Sequence, residues 1–282
     1  MPGVHIVTDS ACDLTDQLVK EHNVIVVPLS IRFGDEELED RRQLTPAEFW
    51  ERCRGKGDLP STAAPSPGAF QAAFTQAADE GADAVLCLTI SSKVSGTYGS
   101  AVTAADTFTR VPVRVVDTYS LTMGQGLLVI AAAEEAAAGA GVDDLVAATE
   151  DRIPRTRIYG VLGGLEHLQR GGRIGGARAL LGSLLNIKPV IHLKDGEVAE
   201  ESKQRTRSRA LAYLNDKVRA DAPLERLAVA DGACEVLARL STIPTEHPLV
   251  SVDLGPVVGT HAGPNTVGVC YIVPTRTAGT AG

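Results

Sequence analysis

The sequence is short of aromatic side chains: one Trp, five Tyr and five Phe make up 4% of its 282 residues. Any core must therefore be filled by Leu, Val, Ile and Ala. It also lacks a disulfide framework. Cys12, Cys53, Cys87, Cys234 and Cys270 are odd in number and none forms a CxxC pair, a pattern that fits reduced thiols. No His, Cys and carboxylate cluster has zinc-ligand spacing, so no metal is expected. Neither GxxxxGK[ST] nor a strand-linked GxGxxG occurs, which removes the usual parts for cradling a nucleotide. The nucleophile elbow GxSxG is missing too, because Ser95 follows Lys93-Val94 and precedes Gly96-Thr97. The longest apolar run, Leu127 to Ala138, is broken by Glu134 and Glu135 and falls short of a membrane span. The start, Met1-Pro2-Gly3-Val4-His5, shows no cationic segment leading into an apolar one, and the expected location is cytoplasmic.

What is present suits a soluble globular protein. The hydrophobic fraction is 44%, and the net charge of -8 is spread over interspersed residues of both signs. That balance argues against nucleic acid as a partner and allows at most transient membrane contact. The length fits two modest domains. Short β-branched runs, Val4 to Val7, Ala84 to Ile90 and Val113 to Val116, lead through polar loops into helical patterns, an α/β texture. Thr45-Pro46-Ala47-Glu48 carries a capping box and starts a helix, and Ser66-Pro67 repeats the cap-then-proline device. Further helices are predicted over about 121–138, 142–152 and 205–219. After Pro154 a glycine-rich stretch leads to the apolar run Ile187 to Leu193 and the hairpin signal Asp195-Gly196. Two α/β domains are expected, 1–155 with a mainly parallel sheet and 156–282 with a mixed sheet.

Several segments present chemistry. Leu59 to Gly68 holds three prolines and reads as a stiff loop displaying hydroxyls, either a connector whose Ser66 caps the next helix or a ligand site using Thr62. Ser91 to Tyr98 lies between a strand and a helix, where free N–H groups attract anions, although Ser95-Gly96 also serves as a simple cap. Gly171-Gly172-Arg173 is either a turn or an Arg held near an anion. Gly255 to Pro264 reads as a second rigid loop carrying His261, a structural imidazole or one close to a ligand. Asp9-Ser10 ends the first strand, capping the next helix or supporting the hydroxyl loops. Arg205, Arg207 and Arg209 make either a solvated helix face or a docking patch.

These blocks, Val7-Thr8-Asp9-Ser10 with Asp13-Leu14, Pro60-Ser61-Thr62 with Pro65-Ser66-Pro67-Gly68, and Ser91-Ser92 with Ser95-Gly96-Thr97-Tyr98, resemble the DegV family. The resemblance extends through Leu165-Glu166 and Leu168, Gly171-Gly172-Arg173-Ile174, Leu185-Asn186-Ile187-Lys188-Pro189, and Gly255-Pro256 with Gly259-Thr260-His261 and Gly263-Pro264. It implies a long-chain fatty acid buried at the domain junction and presented to a separate ATP-dependent fatty acid kinase subunit that makes an acyl phosphate. The chain itself would be a carrier without independent catalysis or cofactor. By motif position Thr62, Ser95 and Gly96 would hold the carboxylate with His261 beside it. Asp9, Ser10, Arg173, Asn186 and Arg205 would support the site or face the partner. The sequence departs from the family pattern at Ala63-Ala64, usually more polar, at Val94, usually Leu, and at Asn265, usually Gly. Asn tolerates positive φ, so Asn265 is compatible with the same turn. A Ser95–His261–Asp9 lipid hydrolase and a soluble fatty-acid sensor or storage protein are the alternative readings.

Overall fold

The computed structural model describes residues 3–54, 59–180, 187–230 and 238–275. Strands β1 (Val4–Asp9), β2 (Val24–Val27), β6 (Ala84–Thr89) and β7 (Val113–Asp117) form an all-parallel sheet in the order β2-β1-β6-β7. Every side chain of β6 is buried, as its unbroken apolar run requires for a central strand covered on both faces. One face is covered by α3 (Pro67–Asp79) and α4 (Thr97–Thr107), which pack Phe70, Phe74 and Ala101 against Val7, Val85 and Cys87. The cap at Ser66 and the stop at Gly81, φ +90°, bound α3 where the sequence places them.

The other face receives α5 (Thr122–Ala137), buried at every position from Thr122 to Ala133. A helix apolar on all sides needs cover all round, and it lies between the parallel sheet and a second sheet, touching Ile6 and Leu88 of one and Ala228 and Ile272 of the other. Gly124 permits this closeness, since a Cβ there would lie 2.4 Å from Ile158 Cδ1. The second sheet is mixed and six-stranded: β8 (Thr156–Val161), β9 (Lys188–Lys194), β10 (Glu197–Gln204), β11 (Arg226–Ala230), β12 (Val250–Val252) and β13 (Val267–Ile272), in the order β10-β9-β8-β13-β11-β12. All its pairings are antiparallel except β11 with β12. Its far face is covered by α8 (Arg207–Asp221) through Ala210, Leu214 and Val218. The β9–β10 turn puts Asp195 at φ +51° and Gly196 at φ +82°, the left-handed pair a tight hairpin demands. The remaining described α-helices are α1 (Asp16–Glu21), α2 (Pro46–Cys53), α6 (Val142–Arg152), α7 (Glu166–Arg170) and α9 (Pro256–Ala262). Among the described residues no helix is long and apolar enough to cross a membrane.

Two expected loops are regular structure. Ser61–Ala63 is strand β5, which joins β3 (Ser30–Phe33) and β4 (Glu36–Glu39) in a small antiparallel sheet ordered β4-β3-β5. Pro60 and Pro65 fall just outside it, and β5 is an edge strand, so neither proline removes a ladder hydrogen bond. Residues 256–262 of the expected second loop form α9. Pro256 occupies its first turn, where the missing N–H costs nothing, and Gly263 ends it at φ +78°. His261 therefore stands on a helix.

Candidate functional site

The carboxyl end of β6 is fixed first. Asp9, the last residue of β1, is fully buried and accepts hydrogen bonds from Ile90 N at 2.7 Å and Ala11 N at 3.0 Å. Both expected roles meet in it: it caps the short 3-10 turn Ser10–Cys12 and steadies the start of the hydroxyl loop. Ser10 Oγ accepts from Leu29 N at 3.0 Å, tying β1 to the chain entering β3. The loop then folds on itself, Ser95 N donating to Ser91 O at 3.2 Å. Ser95 Oγ lies 2.8 Å from Thr97 Oγ1 and accepts from Thr97 N at 3.3 Å, with Gly96 at the N-cap of α4.

Three other segments close on this loop. Thr62 of β5 lies opposite Ile31, and its Oγ1 is 2.9 Å from Nε2 of His261. His261 Nδ1 is buried without a hydrogen-bond partner and is pressed against Gly171, where a Cβ would come within 2.2 Å of it. Burial, then the charges of Arg173 and His167, lower the imidazole pKa from 6.5 to about 4, so the ring is neutral near pH 7. Arg173 joins the two halves of the molecule: its Nε donates to Val94 O at 3.1 Å and its Nη1 to Gly171 O at 2.6 Å.

Thr62, Ser95, Gly96, Arg173 and His261 line one cavity of about 120 Å³, whose other walls are apolar, among them Leu29, Ile90, Leu121, Leu168 and Val257. Ile191 and Val198 of the β9–β10 hairpin complete it. The hairpin is clasped to the parallel-sheet unit at its tip, where Ser91 Oγ donates to Gly196 O at 2.8 Å. Asp9 and Ser10 stand behind the cavity and do not line it. Arg205 is exposed and lies off it. Asn186, like Cys234, lies outside the described residues. Asn265 takes φ +61°, the turn conformation anticipated for it.

The hydrolase reading finds no relay in this arrangement. Ser95 is engaged with Thr97, His261 Nε2 with Thr62, and the Asp9 carboxylate with two backbone amides. Among the described residues no group of three or more His, Cys, Asp or Glu could hold a metal.

Sequence reasoning missed the apolar walls, because Leu29, Leu121 and Val257 read as ordinary core residues. It also gave Asp13 no role. Asp13, at φ +56°, accepts from Thr122 Oγ1 at 2.6 Å and from Gly255 N at 3.2 Å, and so fixes the first residue of α5 and the N-cap of α9 together. The signal was its place within the Asp9-Ser10 block.

The family model of DegV proteins matches residues 3–273. The chain is 37% identical over 275 residues to a DegV domain-containing protein of Streptomyces coelicolor, spanning 94% of this chain and 97% of the relative. A fatty-acid-binding DegV family protein from Thermus thermophilus superposes with a TM-score of 0.88 at 33% identity, over 96% of this chain and all of that one, the coverage there being 100%. A stearic acid-binding protein from Eubacterium ventriosum gives a TM-score of 0.85 at 26% identity, covering 96% of this chain and 98% of its own.

Proposed function

The chain belongs to the DegV family, and from that premise we propose that it holds one long-chain fatty acid and presents the carboxylate to a separate ATP-dependent kinase. The observation that carries this reading is the convergence of two hydroxyls, one imidazole and one guanidinium on a single, otherwise apolar cavity between the halves of the molecule. The halves would be the domains 1–155 and 156–282, with the ligand at their junction.

Energetics assign the tail and the head different tasks. About fourteen to sixteen buried methylenes at roughly 0.8 kcal/mol each give a gross gain on the order of 11–13 kcal/mol before ordering costs. The tail dominates affinity. An unpaired carboxylate costs several kcal/mol to desolvate, so the Thr62 and Ser95 hydroxyls and the backbone N–H of Gly96 make burial tolerable and fix orientation. These donors are neutral and leave the carboxylate its charge. An oxygen so held can attack the γ-phosphorus of ATP on the partner, forming the acyl phosphate as ADP leaves. With the Thr62 hydroxyl donating to the carboxylate, neutral His261 donates from Nε2 to Thr62 Oγ1 and so orients that hydroxyl. The chain is a cytoplasmic carrier in this reading and needs no cofactor.

The test is organic extraction and mass spectrometry of purified protein, followed by reconstitution with a fatty acid kinase. One fatty acid per chain and ATP-dependent acyl-phosphate formation are expected. Absence of bound lipid together with failure to take up added fatty acid would overturn the binding reading. Uptake without phosphorylation by any fatty acid kinase would overturn the carrier reading alone.

A further inference from the structure

We infer that a second cavity, behind α9 from the first, is a binding site for a phosphate-class oxyanion. The cavity measures about 360 Å³ and shares Ala262 with the proposed fatty-acid cavity. Lys188, Arg207 and His167 all line it. Both cations are half-buried and anchored by main-chain carbonyls: Lys188 Nζ donates to Gly163 O at 3.4 Å, and Arg207 Nη1 to Asn265 O at 2.5 Å. A carbonyl neutralises nothing, so each retains its charge and its other N–H donors.

The only carboxylate lining the cavity among the described residues is Glu166, and it forms no ion pair with either cation. Its Oε2 is folded over Gly164 instead, where a Cβ would meet it at 2.1 Å, and the residue is exposed. His167 Nδ1 lies 3.3 Å from Thr260 O; a carbonyl only accepts, so Nδ1 carries the proton and Nε2 is left as the second polar atom of the ring. Two half-buried cations with no carboxylate partner among the described residues favour a dianion over a monoanion, and the planar Arg207 fork matches two oxygens of a tetrahedral oxyanion. The backbone is built to allow the approach. Gly163 and Gly263 let the β8–α7 and α9–β13 loops touch, since Cβ atoms there would meet Pro264 O and His167 Cδ2, each at 2.6 Å. The site stands on its own geometry and does not depend on the fatty-acid reading.

Three probes share the chemistry and separate its sources: inorganic phosphate, acetyl phosphate as a small acyl phosphate, and ADP. Each is titrated calorimetrically into the full chain at constant ionic strength, with chloride as the control anion. Saturable binding of at least one probe, with a dissociation constant on the order of millimolar or lower, is expected. Lys188→Gln and Arg207→Gln should each weaken it roughly tenfold, and Glu166→Gln should tighten it, because removing a nearby negative charge favours an anion. Fatty-acid affinity, measured on the same variants, should not change. Tightest binding of acetyl phosphate identifies an acyl phosphoryl group as the natural occupant, of ADP a nucleotide, and of phosphate the free ion. The inference is overturned if none of the probes saturates, or if binding is the same in Lys188→Gln and the parent. Arg207→Gln loses a bond to Asn265 and is checked for folding by chemical denaturation; Lys188→Gln and Glu166→Gln decide the matter independently of it.

Discussion

The hydroxyl of Thr62 and the Nε2 of His261 lie 2.9 Å apart across 199 residues of sequence. An edge strand of the small sheet and a helix from the other end of the chain meet at that point, directly on the cavity. The contact gives a hydroxyl and a neutral imidazole a common orientation before any ligand arrives.

Removing single hydroxyls should therefore weaken binding without abolishing it. A hydrogen bond to a carboxylate contributes roughly 1.5–3 kcal/mol, so Thr62→Val and Ser95→Ala should each raise the fatty-acid dissociation constant by about ten- to a hundredfold. Single-turnover phosphoryl transfer should fall further, because an in-line attack tolerates misplacement far less than tail burial does. Fluorescent fatty-acid displacement and a kinase assay on each variant measure the two effects. Equal affinity and rate in both variants and parent would place the carboxylate elsewhere.

The seat of His261 can be tested from behind. In Gly171→Ala the new Cβ would sit 2.2 Å from Nδ1, so the imidazole or the loop must move. A loss of about 1–3 kcal/mol in stability, with weaker fatty-acid binding, is expected. Gly172→Ala is the control: its φ of +69° makes Ala strained, but nothing lies within 4 Å, so only stability should fall, by about 1 kcal/mol. Denaturant unfolding paired with binding measurements distinguishes the two; equal binding in both would show that His261 is not held by Gly171.

Much of the α/β alternation was legible because the signals were local. Thr45 with Glu48, Ser66 with Pro67 and Asp195 with Gly196 each determine the backbone within a few residues, and the structure has two helix starts and a hairpin there. The same local cue misled at Pro60 and Pro65, where strand β5 exists only because β3 supplies its partner. At Pro256 the cue was present and misread: a Gly cap followed by proline opens a helix as readily as a loop. The polar residues of the site could be found as motif blocks. Most of its walls could not, since Leu121 and Val198 look like core until distant segments bring them to one cavity. Asp13 stood in a motif block, but its role was hidden for the same reason, its partners Thr122 and Gly255 lying 109 and 242 residues away.

The clasp between Ser91 and Gly196 should govern how fast a ligand leaves. Ile191 and Val198 reach the cavity from strands whose turn is held by the single buried bond from Ser91 Oγ to Gly196 O. Ser91→Ala removes this neutral hydrogen bond and the one that Ser91 Oγ accepts from Lys93 N at 3.2 Å, each worth about 1 kcal/mol, and takes away the hydroxyl donor of Gly196 O. Fatty-acid release measured by stopped flow should quicken several-fold while the association rate stays close to that of the parent. An unchanged release rate would mean that the hairpin does not gate the cavity.

The buried carboxylates and His261 should pull the pH dependence of stability in opposite directions. Desolvation raises the pKa of Asp13 from 3.8 to about 7, with nearby Asp40 raising it further and Thr122, Gly255 and Arg41 lowering it. Asp9, equally buried, is raised to about 7 as well. A carboxyl with a raised folded pKa favours the folded state fully below its unfolded value, and that contribution is lost as pH rises from about 4 to about 7. His261 runs the other way. Its folded pKa of about 4 lies below the unfolded 6.5, so its contribution is present above 6.5 and is lost as pH falls toward 4. Each contribution is on the order of a few kcal/mol. In the parent the opposing slopes partly cancel between pH 4 and pH 7. Asp13→Asn removes one falling contribution, leaving that of Asp9 against the rising one of His261, and should make stability fall less steeply with pH across that window, whatever it does to stability at a single pH. His261→Asn removes the rising one and should make stability fall more steeply with pH than in the parent. Urea denaturation at pH 4.5, 6 and 7.5 reads the slopes directly. If the two variants show the slope of the parent, the carboxyl of Asp13 and the imidazole of His261 do not titrate as their burial requires.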